Sequence, residues 1–236
     1  MGIVFALDIE ADGLTPHAHD HEALRTASGI AIHTGTIGGC RVAWTVAGVG
    51  VAAAAAGTAL LVAGHRPRLL VTAGFAGALD PAFERGVLVV IDRVLRAGEP
   101  PRELASLPFL AEARGTILTV DRPVADPAAK RTLRESTGAA LVDMESHAVA
   151  SAGATHGIPC AGIRVVSDGA DEHLPSEVVA LVRPQSPWRR LGAAVGGIGR
   201  RPGAVVDLWR LWEHAVVDSR RLGSALVALC GSVSDP

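Results

Sequence analysis

Seven short runs of β-branched and aliphatic residues recur along this chain: GIVFAL (2–7), RVAWTV (41–46), LLVTA (69–73), GVLVVIDRVL (86–95), GTILTV (115–120), AALVD (139–143) and CAGIRVVSD (160–168). Helix-compatible stretches at 51–63, 126–136 and 144–156 lie between several of them. A chain that alternates strands with helices tends to return to its sheet in one direction, so the pattern predicts an α/β domain with a central mixed, largely parallel sheet flanked by helices. The breaks RPQSPW (183–188) and GRRPG (199–203) set boundaries of 1–182 for this domain and 183–236 for a C-terminal helical extension. With 236 residues, 49% of them hydrophobic and 19% charged, there is material for one sizeable core, too little chain for two full-size domains, and no disordered character.

Charge and cysteine content narrow the function classes. A balance of 22 basic against 24 acidic residues gives no general electrostatic reason to bind a nucleic-acid polymer. Three widely spaced cysteines, Cys40, Cys160 and Cys230, match neither a disulfide framework nor a CxxC metal site and are read as buried thiols of a cytoplasmic protein. Met1–Leu7 is apolar but lacks a basic lead-in, so it reads as a first strand rather than a secretory signal. Val42–Gly64 carries no formal charge and has the length of a membrane span, yet its Ala/Gly-rich interior fits a strand, a glycine turn and a small-residue helix better. Residues 183–221 differ in composition, with eight arginines against Asp207, Glu213 and Asp218, a net of +5, and with Trp188, Trp209 and Trp212. Such a stretch suits either contact with an anionic membrane surface or a helix pair packed on protein with its arginines solvated.

Four segments can carry chemistry. GVGVAA (48–53) fits G-x-G-x-x-A between a strand and a helix, but no Asp or Glu follows until Asp80, so the acid that holds an NAD ribose is missing. A NADP variant, a purely geometric turn and a close approach of Gly50 to a small ligand stay open. TAGFAGALDP (72–81) reads as a strand running into a glycine-rich loop, Ala73–Gly77, whose amides could approach a ligand. In LVDMESHAVA (141–150), Asp143 and Glu145 flank Met144 at a strand–helix junction, where a carboxylate could accept hydrogen bonds from a vicinal diol or merely meet the helix dipole. IRVVSDGADEH (163–173) ends an apolar strand in Ser167–Asp168; a partly desolvated carboxyl there is suited to proton donation, and an Asx turn or N-cap is the plainer reading. The HAHDH tract (17–21) looks turn-like and matches no defined metal spacing, so no metal site is expected.

Taken in order, D-x-E after the first strand, GVGxxxA, TAGxAGxLDP, VDMESxAxA and RxxSDxAD, spanning about residues 2–175, resemble the nucleoside phosphorylase/nucleosidase superfamily, in particular its methylthioadenosine/S-adenosylhomocysteine nucleosidase branch. VDRPVADPAAKR and the arginine-rich tail look most like hopanoid-associated phosphorylases, thought to remove adenine from adenosylhopane. The resemblance implies an enzyme that cleaves an N-glycosidic bond and needs no metal or organic cofactor, with water or phosphate as nucleophile. Asp168 of the Ser167–Asp168 motif would protonate the leaving purine and Glu10 would orient the attacking water. Glu145 would hold the ribose hydroxyls with Met144 against the sugar and Asp143 beside them. Pro123 and Val124 would meet the base. Gly50 and the segment with Ala73, Gly74 and Phe75 would line the ribose and nucleophile pocket. Phe75 stands where the nucleosidases carry Ser, and Arg25, Arg41 and Arg85 are candidates for a phosphate clamp. The implied partners are a purine nucleoside, a second copy of the chain as a homodimer and, through residues 183–221, a membrane surface at the cytoplasmic side. The alternatives are a nucleosidase for soluble methylthioadenosine-like substrates, a non-catalytic nucleoside-binding module and a NADP-binding protein.

Overall fold

The computed structural model describes residues 1–107, 113–174, 179 and 204–233, with side chains of the last helix described from residue 213. The breaks at 183–188 and 199–203, most of the basic segment 183–221 and its three tryptophan side chains lie outside the described residues.

Among the described residues, ten strands and five α-helices follow one another as β1 (Gly2–Phe5), α1 (Asp8–Asp12), β2 (His19–Arg25), β3 (Ala31–Ile37), β4 (Cys40–Val46), α2 (Val51–His65), β5 (Leu70–Ala78), β6 (Leu88–Leu95), β7 (Arg102–Glu103), β8 (Ala113–Thr119), α3 (Pro127–Thr137), β9 (Leu141–Asp143), α4 (Ser146–His156), β10 (Cys160–Asp168) and α5 (Ala204–Val233). The sheet is mixed. β1 pairs in parallel with β4 and β5, β5 with β10, β6 with β8 and β8 with β9, whereas β5–β9, β6–β10, β6–β7, β3–β4 and β2–β3 are antiparallel. Because β5 pairs with both β9 and β10, strands β5, β10, β6, β8 and β9 close on themselves, and β1, β4, β3 and β2 extend outward from β5.

Alternation along the strands sorts the core into two layers. Ile3, Phe5, Trp44, Val71, Ile163 and Val165 face Leu222, Leu226 and Leu229 of α5, whereas Val4, Leu70, Val89 and Ile91 join Leu61 and Val62 of α2 and Val149 of α4. The small residues predicted to let α2 approach the sheet do so: a methyl built on Gly57 would lie 2.5 Å from the Ala47 Cβ. Val42–Gly64 is thus β4, a glycine turn and α2, and among the described residues no helix is long and apolar enough to cross a membrane. On the opposite face, α5 packs against α1 through two glycines; a Cβ on Gly223 would stand 2.1 Å from the Gly13 carbonyl oxygen, and Gly13 N–H donates to Ser219 Oγ at 2.8 Å.

Two local expectations are corrected. Residues 73–77 are not a loop: β5 continues to Ala78, since its glycine-rich half pairs residue by residue with β10, Arg164 opposite Gly74 and Asp168 opposite Gly77. HAHDH is not simply a turn, because His19–His21 enter β2, where His21 stacks on His33 and Trp44 with ring centroids 5.3 and 5.1 Å apart.

Candidate active site

Glu10 sits in α1, directly after β1, and is buried. Its carboxylate turns back to the strand end, where Oε2 accepts from the Ala6 and Leu7 amides, each at 2.9 Å, and Oε1 accepts from the Phe75 amide of β5 at 2.8 Å. Gly74 makes this approach possible, since a Cβ there would lie 2.5 Å from Oε1. Burial pushes the Glu10 carboxyl above its usual range, opposed by the backbone donors and by Arg164.

Glu145 is the N-cap residue of α4. Its Oε1 accepts from the Gly50 amide at 2.6 Å and its Oε2 from the Met144 amide at 3.2 Å, so GVG and DMES meet across the sheet although 95 residues separate them. Burial, with the charges of Asp143 and Glu10 added, pushes the Glu145 carboxyl up to about 8 against the Gly50 bond and Arg164. The Gly50 amide is therefore committed to a carboxylate rather than offered to a dinucleotide phosphate, which argues against the NADP reading.

Arg164 of β10 completes this end of the site and was not singled out by motif reading; the available signal is one cation inside an otherwise apolar strand. Its Nη2 donates to Asp143 Oδ2 at 2.8 Å, Thr72 Oγ1 at 2.7 Å and Ser146 Oγ at 2.8 Å. Asp143 is fully engaged, accepting also from Thr119 Oγ1 at 2.8 Å and from the Ser146 amide at 2.9 Å. Both of its oxygens are spoken for, so Asp143 fixes Arg164 and the α4 start instead of presenting a free acceptor to a diol. Glu10, Glu145 and Arg164 line one pocket with Ala73, Gly74 and Phe75. Met144 is buried beside them in the chain.

Asp168 ends β10, opposite Gly77 of β5. The β5–β10 register shifts between Val166 and Asp168, leaving Ser167 in a bulge, a distortion that re-aims neighbouring side chains. The Asp168 carboxyl rests against Gly77, whose Cβ would be 3.0 Å from Oδ2. Ser167 Oγ is 2.6 Å from Asp168 Oδ1 and 3.2 Å from the Ala76 carbonyl oxygen. Asp168 is not a lone desolvated carboxyl, because Lys130 Nζ of α3 donates to its Oδ2 at 2.5 Å. Glu10 is tied to Phe75 and Asp168 to Gly77; at about 3.3 Å of rise per residue, the two attachment points are roughly 7 Å apart along the strand.

The remaining candidates are not among the residues that line this pocket. Val124 packs on the cluster of Leu79, Leu118, Ala139 and Val142, with Pro123 half-buried before it. Arg25 and Arg41 are exposed on β2 and β4, and Arg85 donates to the Ser167 carbonyl and to Asp218 of α5 at 3.2 Å, so the three do not converge into a phosphate clamp. Arg85 instead joins α5 to the backbone beside Asp168.

The chain belongs to the phosphorylase superfamily, whose model matches residues 1–113 and 103–186. Similar solved structures include a 5′-methylthioadenosine/S-adenosylhomocysteine nucleosidase from S. pneumoniae with a transition-state inhibitor, 22% identical over 98% of both chains with a TM-score of 0.76. The corresponding Campylobacter jejuni nucleosidase is 16% identical over 98% of both chains, also with a TM-score of 0.76. Futalosine hydrolase of Helicobacter pylori is 18% identical, with 95% of this chain and 96% of that one covered and a TM-score of 0.70.

Proposed function

We propose that the protein hydrolyses the N-glycosidic bond of a 5′-modified adenosine and releases adenine. The observation that carries this reading is the convergence of Glu10, Glu145 and Arg164 on one pocket, with Asp168 at the end of β10, the strand that carries Arg164. Water held by Glu10 attacks C1′ and passes a proton to the Glu10 carboxylate, while Asp168 protonates the departing base and the bond electrons leave with the purine. Glu145 accepts from the ribose hydroxyls, and its negative charge stabilises the oxocarbenium-like transition state. Met144 offers an apolar surface to the sugar, and Pro123 and Val124 present backbone to the base.

Electrostatics supports water as the nucleophile. Among the described residues the pocket's one cation, Arg164, already donates to Asp143, Thr72 and Ser146, so a phosphate dianion would find no uncommitted cation there and, once Glu10 and Glu145 ionise, would meet net repulsion. For the 5′ substituent, the sequence resemblance supports an adenosylhopane-like lipid, whereas the similar solved structures support methylthioadenosine and S-adenosylhomocysteine. The assay is adenine release from methylthioadenosine and from a long-chain 5′-alkyl adenosine, each with and without phosphate. A lipid-type enzyme favours the alkyl substrate in kcat/KM, a soluble-substrate enzyme favours methylthioadenosine, and release that requires phosphate would refute hydrolysis.

A further inference from the structure

Lys130 is the chain's one lysine among 22 basic residues, and its side chain is wholly buried. A buried ammonium is costly unless each N–H finds an acceptor. Lys130 has three: Asp168 Oδ2 at 2.5 Å, the Gly169 carbonyl at 2.6 Å and the Glu172 carbonyl at 3.2 Å. All three acceptors belong to the end of β10 and the turn that follows, which Glu172 Oε2 also braces by accepting from the Gly169 amide at 2.8 Å. The lysine comes from the second residue-turn of α3, whose start is fixed by Asp126 and Pro127.

We infer that Lys130 is a positioning residue for proton donation by Asp168. Two features give it that role beyond packing. It occupies Oδ2, so the proton that passes to the base is held on Oδ1, where the Ser167 hydroxyl, 2.6 Å away, accepts from it once its own O–H turns to the Ala76 carbonyl at 3.2 Å. It also stabilises what donation leaves behind. When the Asp168 proton passes to the purine and the C1′–N9 electrons depart with it, a buried carboxylate remains, and the ammonium at 2.5 Å compensates its charge. Lys130 itself gains and loses no proton in this step.

This inference rests on Asp168 being the acid, and a double-mutant cycle separates the two. Adenine release from methylthioadenosine is measured for wild type, Asp168→Asn, Lys130→Met and the double variant. Lys130→Met is expected to lower kcat about a hundredfold, within the range of general-acid effects, with KM changed less than about threefold. In the Asp168→Asn background the same change is expected to alter the residual kcat by less than about twofold, because there is no longer a carboxyl to position. Equal losses in both backgrounds, or no loss in folded Lys130→Met, would overturn the inference and leave the lysine as a structural anchor. An unaffected rate in Asp168→Asn would overturn the functional reading instead, and no release by wild type would remove both. Lys130→Gln, which keeps a donor but no charge, is read in the same way should the methionine variant not fold.

Discussion

Replacing Glu145 by Gln tests the electrostatics of the site through stability, independently of any substrate. Gln keeps the size of the side chain and an oxygen for the Gly50 amide; it removes the ionisation and the second acceptor oxygen that meets the Met144 amide, and only the first of these losses depends on pH. The Glu145 carboxyl is raised from 4.5 to about 8, chiefly by burial. Through that window the native state holds a proton that the unfolded chain has already released, so wild-type stability falls as pH rises, by at most about 1.4 kcal/mol per unit for this group. Between pH 5.5 and 7.0 the wild type should therefore lose up to about 2 kcal/mol more than Glu145→Gln. Urea unfolding of both proteins at pH 5.5, 6.3 and 7.0 measures the difference. Titrating groups remote from the site are common to the pair and cancel, whereas Glu10 and Asp143, whose charges act on Glu145, shift with it and belong to the measured difference. Parallel stability profiles would refute the assignment of a buried, proton-holding Glu145.

Further outcomes follow from the same geometry. Because ionised Glu145 and Glu10 are the forms that bind hydroxyls and orient water, kcat/KM should rise with pH toward about 8 and the rise should flatten in Glu145→Gln; a flat wild-type profile would contradict this. Gly74→Ala should disable turnover while leaving a folded protein, since its Cβ would displace a carboxylate oxygen 2.5 Å away, and circular dichroism beside the adenine-release assay checks both halves. Arg164→Met should cost about 3–5 kcal/mol in urea unfolding by leaving Asp143 as an uncompensated buried charge, and a loss under 1 kcal/mol would show that the network is not needed.

The alternation of strands and helices was enough to foresee an α/β domain, because period and length of the apolar runs reflect burial on a sheet. It could not foresee that β5 pairs on both sides and closes the sheet, since nothing local to LVTAGFAGA announces which strands will flank it. Its glycines read as a loop and are in fact the places where Glu10 and Asp168 press against a strand. Glu10, Glu145 and Asp168 were legible as carboxylates at strand ends, and GVG as a close-approach turn, but that Gly50 approaches Glu145 is a contact across 95 residues that spacing does not encode. Arg164 and Lys130 stand inside RxxSDxAD and VDRPVADPAAKR but carry no role there, because their partners, Asp143 and Asp168, are 21 and 38 residues away in sequence; a cation within an apolar strand and a solitary lysine were the marks available. That Asp143 also has the internal donors Thr119 and Arg164, beside the local Ser146 amide, is likewise a matter of long-range contacts that VDMES does not spell out.

The most direct test of the account is adenine release from methylthioadenosine and a 5′-alkyl adenosine by wild type, Glu10→Gln and Asp168→Asn, with and without phosphate. Phosphate-independent release by wild type that falls about a hundredfold or more in each variant is the predicted result. Release that persists in both variants, or adenine binding without release by folded wild type, would contradict it.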